Sequence, residues 1–326
     1  MSRHLAWALG KSTATRTLLI VAVSLSFAAC SEMAKQEVVE GSGINPVLPL
    51  PETTLIPTVN IAPAIGWPGK LTPTPAAGTR IQAFARGLDH PRWLYVLPNG
   101  DVLVAETNAP PKPDDANGIK GAIMGAVMKK AGAAVPSANR ITLLRDTDGD
   151  GIANLRSVFL ENLNSPFGMA LVGNDLFIAN TDAVLKFPYS AGNTRITAPG
   201  MKLTDLPAGS INHHWTKNII ASADGKKLYA SVGSNSNVAE RGVEVELNRA
   251  AILEIDIATG TKRIFASGLR NPVGMAWEPQ SGMLWTSVNE RDELGSDLVP
   301  DYMTSVRDGG FYGWPWYYIG NHPDPK

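Results

Sequence analysis

The sequence predicts an all-β chain folded as a β-propeller. Glycine and proline are abundant, with 31 and 24 residues in a chain of 326. Sustained helical periodicity is scarce, and both features favour a turn-rich β fold. Four stretches after residue 80 each contain a polar loop, a short apolar strand, a Gly/Asn/Asp turn and a second, alternating strand. They recur at intervals of about 50 residues or more, which is typical of propeller blades.

The N-terminal residues predict an export signal over residues 1–30. Basic residues precede an apolar run from residue 18 to 29, which is too short to span a bilayer and has the shape of a secretory signal. The run ends directly before Cys30, the single cysteine. Small residues before a lone cysteine resemble a bacterial lipoprotein signal, in which Cys30 is lipidated. An ordinary cleaved signal is the alternative. We expect a lipid-anchored protein on the periplasmic side of the bacterial cell envelope.

Residues 31–79 are predicted to be a Pro-rich flexible tether between this anchor and a propeller domain over residues 80–326. Proline recurs in the stretches 46–51 and 71–75, and such sequences favour extended, polyproline-like structure. Trp67 suggests that the last third of the tether packs onto the globular domain.

The repeats also predict the position of further strands and of one insertion. Each repeat has the pattern of a hairpin, and outer strands are expected at 140–144, 183–187 and 251–256. An insertion over 109–138 accounts for the longer first interval, and its residues 118–130 suggest a short surface helix. About four to five blades are present. Because propellers close by pairing their first and last strands, we expect a propeller that is incomplete at its C-terminus.

The charge balance excludes one class of partner. Lysine and arginine total 29 and aspartate and glutamate 30, so the formal net charge is −1. A protein that binds the phosphate backbone of a nucleic acid carries more lysine and arginine than aspartate and glutamate, and this sequence has no such excess. We therefore expect no nucleic-acid partner.

Two polar pairs stand at the start of predicted inner strands. Arg270 and Asn271 precede Pro272, in a loop that leads into a strand, and their donors suit a ligand rich in carboxylate and carbonyl oxygens. The alternative is that both satisfy neighbouring backbone carbonyls. His213 and His214 open the third repeat, where a histidine near the axis is a natural general base. A hydrogen-bonded structural histidine is the alternative.

Two acidic segments are candidate calcium sites. Asp146 to Gly151 has carboxylates at alternate positions ahead of a glycine, as in an EF-hand loop, but lacks the glutamate at position 12. A plain Asp/Gly hairpin turn is the alternative. The second segment follows the Arg270 strand, from Asn289 to Glu293, with Asp297 and Tyr312 beyond it. It either coordinates calcium or is simply solvated.

Several motifs together resemble one known family. Residues 268–277, the Asn-Glu-Arg-Asp-Glu loop at 289–293 and the Gly-Phe-Tyr-Gly-Trp-Pro run at 310–315 are similar to those of L-sorbosone dehydrogenase and its relatives. Residues 90–108 and 231–238 support the match. These are the quinoprotein sugar dehydrogenases, which include soluble PQQ glucose dehydrogenase and the pyranose dehydrogenases. The resemblance implies a six-bladed β-propeller with pyrroloquinoline quinone (PQQ) on its axis, held partly by calcium.

The resemblance also implies roles for individual residues. His214 matches the histidine that takes the hydroxyl proton as hydride passes to PQQ, and Arg270 and Asn271 match the pair that contacts the quinone oxygens. His213 stands where glucose dehydrogenases have an aspartate. Asn164 is the residue that could replace a glutamine on the substrate side.

The same resemblance assigns the candidate metal ligands. The turn from Asn289 to Arg291 matches a calcium-binding turn that uses backbone carbonyls, although Arg291 replaces a proline. Within it, Asn289 is expected to bind the cofactor, and Glu290 and Arg291 are candidate metal ligands. Asp297 and Tyr312 match a second, structural calcium site. The residues that grip the PQQ carboxylates in the family belong to later blades, beyond residue 326.

The implied activity is PQQ-dependent oxidation of a sugar or a sorbosone-like aldehyde, with an electron acceptor outside the cytoplasm, and it would be impaired by a real truncation. One alternative is a non-catalytic propeller that serves as a binding module on the cell envelope. Another is a calcium-dependent lactone hydrolase. The candidate acids for the hydrolase, Glu106, Asp182 and Glu290, are too few and too scattered to favour it.

Overall fold

The computed structural model describes residues 34–52, 61–69, 71–111 and 125–326. These residues form two compact units, one of residues 34–52 with 292–298 and one of residues 61–291 with 299–326. The predicted signal and Cys30 lie outside the described residues. Among the described residues, no helix is long and apolar enough to cross a membrane.

The larger unit begins with two four-stranded antiparallel sheets, each with its strands in chain order. Their strands are β1 (Pro91–Val96), β2 (Val102–Glu106), β3 (Arg140–Arg145), β4 (Leu155–Leu160), β5 (Met169–Val172), β6 (Asp175–Ala179), β7 (Ala183–Pro188) and β8 (Met201–Asp205). Residues 125–130, in the insertion between β2 and β3, are helical. The rest of the predicted surface helix lies outside the described residues.

Two further sheets follow in the same order. Their strands are β9 (Ile219–Ala221), β10 (Lys227–Val232), β11 (Ala251–Asp256), β12 (Lys262–Ser267), β13 (Asn271–Trp277), β14 (Leu284–Asn289) and β15 (Tyr302–Val306). A 3-10 helix covers Val243–Glu246, and β16 (Gly310–Phe311) adds to β12 in parallel. The strands β17 (Tyr317–Tyr318) and β18 (His322–Pro323) pair with each other.

Four successive sheets with one strand order confirm the predicted propeller arrangement. The expected outer strands are present as β3, β7 and β11. The core lies between neighbouring sheets, in three apolar clusters. The first joins β2 and β3 to β5 and β6, the second joins β6 to β10 and β11, and the third joins β11 to β14 and β15. Because the middle strands are covered on both faces, they carry continuous apolar runs such as Leu103–Ala105.

The smaller unit contains part of the predicted tether. The amide of Glu52 donates to the Leu294 carbonyl at 3.0 Å. The amide of Lys35 donates to Asp297 Oδ2 at 2.7 Å, and the Lys35 ammonium lies 3.1 Å from Glu52. Residues 34–52 are thus bound to the loop 292–298. Farther along, the carbonyl of Trp67 accepts from Arg86 at 3.3 Å, while its side chain is exposed. The division into tether and propeller stays a prediction.

Neighbouring inner strands approach closely at Gly168. Its amide donates to the Lys217 carbonyl at 3.0 Å. A Cβ at this position would lie 2.4 Å from the amide nitrogen of Ile219 and 2.7 Å from the Asn218 Cα. These are backbone atoms, which cannot turn aside as a side chain can. Only glycine lets the second and third sheets pack at this distance.

We expect Gly168→Ala to destabilise the fold by about 1–3 kcal/mol or more, because overpacking forces the two strands apart. The measurement is the free energy of unfolding in urea. Gly125→Ala is the matched control, since a Cβ there meets nothing within 4 Å and alanine favours the helix it would join. Equal stability of the two variants would contradict the close approach.

Candidate functional site

The topology gathers the predicted site residues at one end of the sheets. The second strand of each sheet runs antiparallel to the first, so its last residue lies beside the first residue of its neighbour. Asn271 faces Asn289 in this way, and Pro91 faces Glu106. Residues just before an inner strand therefore lie at the same end of the sheet as the last residue of the second strand and those that follow it. The first group contains Asn164, His213, His214 and Arg270, and the second contains Asn289, Glu290 and Arg291.

Hydrogen bonds between neighbouring blades bring these segments into contact. The Ser234 amide, after β10, donates to the Arg270 carbonyl at 2.8 Å. The Asn218 amide group donates to the Val273 carbonyl at 2.9 Å. Within the second blade, the Thr181 amide donates to the Asn164 carbonyl at 3.0 Å. The segments that carry Asn164, His214 and Arg270 are thus tied to their neighbours by backbone groups and by the Asn218 side chain.

His214 and Asn271 meet on either side of Gly233. A Cβ on Gly233 would lie 2.3 Å from Asn271 Oδ1 and 2.5 Å from the His214 Cβ. The predicted base and the predicted quinone-binding amide are therefore close neighbours. Asn271 Oδ1 is buried and has no hydrogen-bond partner among the described residues. An orphaned buried polar atom of this kind points to a ligand or water that completes its hydrogen bonds.

The His214 ring is held by Ser234. Its Nδ1 lies 2.8 Å from the Ser234 carbonyl oxygen and 3.0 Å from Ser234 Oγ. The Ser234 hydroxyl donates its own proton to the Ser236 carbonyl at 2.6 Å, so both Ser234 oxygens can only accept from the ring. This network assigns the proton of the neutral ring to Nδ1. The Nε2 atom then carries the lone pair and can accept a proton.

The surroundings of His214 keep its ring neutral. Burial lowers the pKa of His214 to about 3, and the positive charge of Arg270 acts in the same direction, with smaller contributions from His213 and Lys217. The hydrogen bond that the ring donates to the Ser234 carbonyl opposes this shift. A group whose pKa lies far below neutrality is unprotonated near pH 7. The His214 ring is therefore neutral there, and its Nε2 is unprotonated.

Arg270 is buried, and its guanidinium donates hydrogen bonds to other residues of the protein. Its Nε donates to the Asn237 carbonyl at 3.1 Å and its Nη2 to Asn237 Oδ1 at 2.8 Å. Its Nη1 donates to the carbonyls of Asn289, at 3.3 Å, and Glu290. This is the alternative in which Arg270 satisfies neighbouring carbonyls. A contact between Arg270 and a quinone stays a prediction.

The predicted calcium turn is occupied by positive charge. Its Asn289 and Glu290 carbonyls bind the Arg270 guanidinium, and the next residue, Arg291, is buried and pairs with Asp324 at 2.7 Å. Calcium prefers oxygen ligands alone, so it would have to displace a guanidinium here. Burial raises the pKa of Glu290 to about 7, against the opposing effect of Arg270. The present arrangement of this turn does not fit calcium.

The remaining predicted metal ligands have protein partners. Asp297 accepts from the Lys35 amide, and the Tyr312 hydroxyl donates to the Ser305 carbonyl at 2.7 Å. The β3–β4 turn brings carboxylate oxygens of Asp146, Asp148 and Asp150 within 4.8 Å of one another. Calcium binding at either place stays a prediction.

The β3–β4 turn is also stabilised by hydrogen bonds between an aspartate side chain and backbone amides, as is common in hairpin turns. Asp146 accepts from the backbone amides of Gly151 at 2.8 Å and Gly149 at 2.7 Å. These N–H groups, that of Gly151 first, lower the pKa of Asp146. The alternative of a plain Asp/Gly turn accounts for this geometry.

Sequence reasoning missed a fully buried lysine behind the His214 loop. Lys217 is 0% exposed, and its ammonium donates to the carbonyls of His214 at 3.1 Å and Trp215 at 3.3 Å. Burial, followed by the charge of Arg249, lowers the pKa of Lys217 well below 10.5. A lysine shortly before the apolar inner strand β9, between Trp215 and Ile219, was the available signal. Lys217 fixes the backbone that carries the predicted base.

Lys217→Met should remove a pH dependence of stability. The folded protein binds a proton at Lys217 less readily than the unfolded chain does, so this residue makes wild type gain stability as pH rises toward 10.5. The slope is at most about 1.4 kcal/mol per pH unit. Unfolding free energies of both proteins, measured at several alkaline pH values, test this. Lys226→Met, at an exposed lysine, should keep the wild-type slope. An unchanged slope in Lys217→Met would refute the expectation.

Comparisons with known proteins agree with this fold. A family model described as TrAA12-like matches residues 134–304, more than half of the chain. An uncharacterized protein of Borreliella burgdorferi is 27% identical over 170 residues, which are 49% of this chain and 44% of that protein.

Solved structures resemble the chain in fold. The calcium structure of the Trichoderma reesei family AA12 enzyme is 20% identical with a TM-score of 0.58, over 77% of this chain and 63% of that one. The holo PQQ domain of Coprinopsis cinerea pyranose dehydrogenase is 18% identical with a TM-score of 0.56, over 74% and 57%. A Thermus thermophilus putative oxidoreductase (glucose dehydrogenase) is 23% identical with a TM-score of 0.52, over 76% and 70%. The chain spans less than two-thirds of the length of the first two.

Proposed function

The chain belongs to the TrAA12-like family, and from that premise we propose that the protein is a PQQ-dependent oxidoreductase acting on a sugar or a sugar-derived, sorbosone-like aldehyde. The observation that carries the proposal is the pair of His214 and Asn271 around Gly233, with a buried, unpartnered amide oxygen between them. Related structures include a PQQ domain of a pyranose dehydrogenase and a PQQ-bound aldose sugar dehydrogenase from Streptomyces coelicolor.

The residues at this position fit a quinone. Bound PQQ would supply a carbonyl carbon that accepts hydride from the substrate. The Asn271 amide can rotate so that its nitrogen replaces the orphaned oxygen and offers an N–H donor to a quinone oxygen. Arg270 lies behind it as a buried cation, and its field would stabilise negative charge that develops on that oxygen.

His214 would act on the substrate as the base. Its Nε2 lone pair would take the proton of the hydroxyl on the carbon that loses hydride, a hydroxyl that an aldehyde has as its hydrate, while Ser234 accepts from Nδ1–H and so keeps the ring in place. We assign the substrate side to Asn164 and His213, which lead into neighbouring inner strands. No step uses calcium, because the Asn289 turn binds Arg270 instead. Lipidation at Cys30 and an electron acceptor outside the cytoplasm complete the proposal.

Reconstitution of the chain with PQQ tests the activity. We expect PQQ to bind with a shift in its absorbance, and the loaded protein to reduce an artificial electron-accepting dye when sugars or aldoses are added. His214→Gln should still bind PQQ but lose roughly 10²–10⁴-fold in kcat, because the general base is removed. Addition of calcium or a chelator in parallel reports whether a metal is needed. PQQ binding with no dye reduction by any sugar would reject the enzyme.

Gly233→Ala should impair PQQ binding. The added methyl group displaces the Asn271 amide, the His214 side chain, or both, because Asn271 Oδ1 and the His214 Cβ lie 2.3 and 2.5 Å from the new Cβ. We expect PQQ affinity to fall at least about tenfold, the equivalent of one lost hydrogen bond to a buried group. The measurement is titration of PQQ by absorbance or calorimetry. The control is Gly282→Ala, where a Cβ meets nothing within 4 Å and the positive φ of 67° strains the backbone without touching Asn271 or His214. Equal affinities in the two variants would argue against this site.

A propeller that binds a ligand without oxidising it is the second candidate. The observation that favours it is the engagement of Arg270 with Asn237, Asn289 and Glu290, which leaves this guanidinium in a structural role. The two candidates differ in turnover. A binding module would take up a sugar or quinone and give the same lack of dye reduction in wild type and in His214→Gln.

A further inference from the structure

The segment that holds the His214 ring is itself anchored by a buried carboxylate. Ser234, Ser236 and Glu246 are 0%, 2% and 8% exposed. The Asn235 amide donates to Glu246 Oε2 at 2.6 Å, and the Ser236 hydroxyl donates to Glu246 Oε1. Both oxygens of the carboxylate therefore bind the turn that follows β10. This connects the 3-10 helix Val243–Glu246 to the residues around the ring.

The direction of each hydrogen bond follows from this carboxylate. An ionised carboxylate only accepts, so Glu246 fixes the Ser236 hydroxyl proton and the Asn235 N–H. The Ser236 carbonyl is thereby placed to accept the Ser234 hydroxyl at 2.6 Å. With that proton donated to Ser236, the Ser234 hydroxyl can only accept from His214 Nδ1, as the Ser234 carbonyl beside it does. A change at Glu246 would reach the ring through these two serines.

We infer that Glu246 is a positioning residue which, through Ser236 and Ser234, holds His214 in the Nδ1-protonated tautomer and leaves Nε2 as the proton acceptor. The inference rests on the proposed function in one respect, that His214 is the base. Glu246 touches neither substrate nor cofactor in this assignment. A merely structural role, such as support of the 3-10 helix, would change stability without changing the tautomer.

The test reads the ring directly in the full chain without cofactor. The nitrogen shifts of His214, assigned by comparison with His214→Gln in two-bond proton–nitrogen spectra, report which nitrogen carries the proton. Wild type should show protonated Nδ1 and unprotonated Nε2. Glu246→Gln offers only one accepting oxygen to two donors, so the turn should loosen. We expect the tautomer ratio to shift toward Nε2–H by about tenfold, as for the loss of one hydrogen bond.

Glu244→Gln is the matched control, because Glu244 is an exposed residue of the same 3-10 helix. It should leave the His214 shifts unchanged. Ser236→Ala removes the hydroxyl that binds Glu246 and should reproduce the effect. If Glu246→Gln does not fold, the His214 nitrogen shifts of Ser236→Ala serve as the test. Wild-type nitrogen shifts in a folded Glu246→Gln or Ser236→Ala protein would overturn the inference.

The outcome is separable from that of the proposed function. The tautomer is measured without PQQ, so it stands whether or not the loaded protein oxidises sugars. If it does oxidise them, Glu246→Gln should lower kcat several-fold with little change in KM, because substrate contacts are kept. Normal turnover in Glu246→Gln, together with an unshifted tautomer, would contradict the positioning role and leave the oxidoreductase proposal intact.

Discussion

The close packing of neighbouring sheets is the constraint on which the rest of the structure depends. The apolar core is divided among the interfaces between sheets, so each blade is stabilised by the next. At Gly168 the approach is so close that a single methyl group would meet backbone atoms. Because the inner strands are fixed side by side in this way, the loops above them have defined positions. The predicted site is made from such loops and from the strand ends next to them, where Asn271 and Asn289 lie.

Buried positive charges lie near His214 and add to the effect of burial on its ring. Lys217 and Arg249 both donate to Asn212 Oδ1, at 3.5 and 3.0 Å, and otherwise bind backbone carbonyls. Arg270 adds a third buried cation. Cations bound mostly to carbonyls leave a net positive field, which disfavours a protonated imidazole. The same field would favour an anionic oxygen on a ligand.

The sequence predicted the fold well because the signals are local and repeated. Alternating apolar strands and Gly/Asn/Asp turns recur in each blade, and the strands expected at 140–144, 183–187 and 251–256 are present. The candidate residues His214 and Asn271 came from the motifs they lie in, and the structure brings them together at Gly233. The contacts of Arg270 were weighed from sequence only as alternatives, since a guanidinium suits a carbonyl as well as a ligand.

The sequence by itself determined the β-propeller, the positions of its strands and the set of polar residues that lead into them. Periodicity and turn chemistry are properties of neighbouring residues, so they can be read along the chain. Only the tertiary structure decided which of those polar groups meet. Gly233 lies beside Asn271, Glu246 binds Ser236, and Lys217 binds the His214 carbonyl. Such contacts depend on how sheets and loops pack in space, and distance along the chain does not encode them.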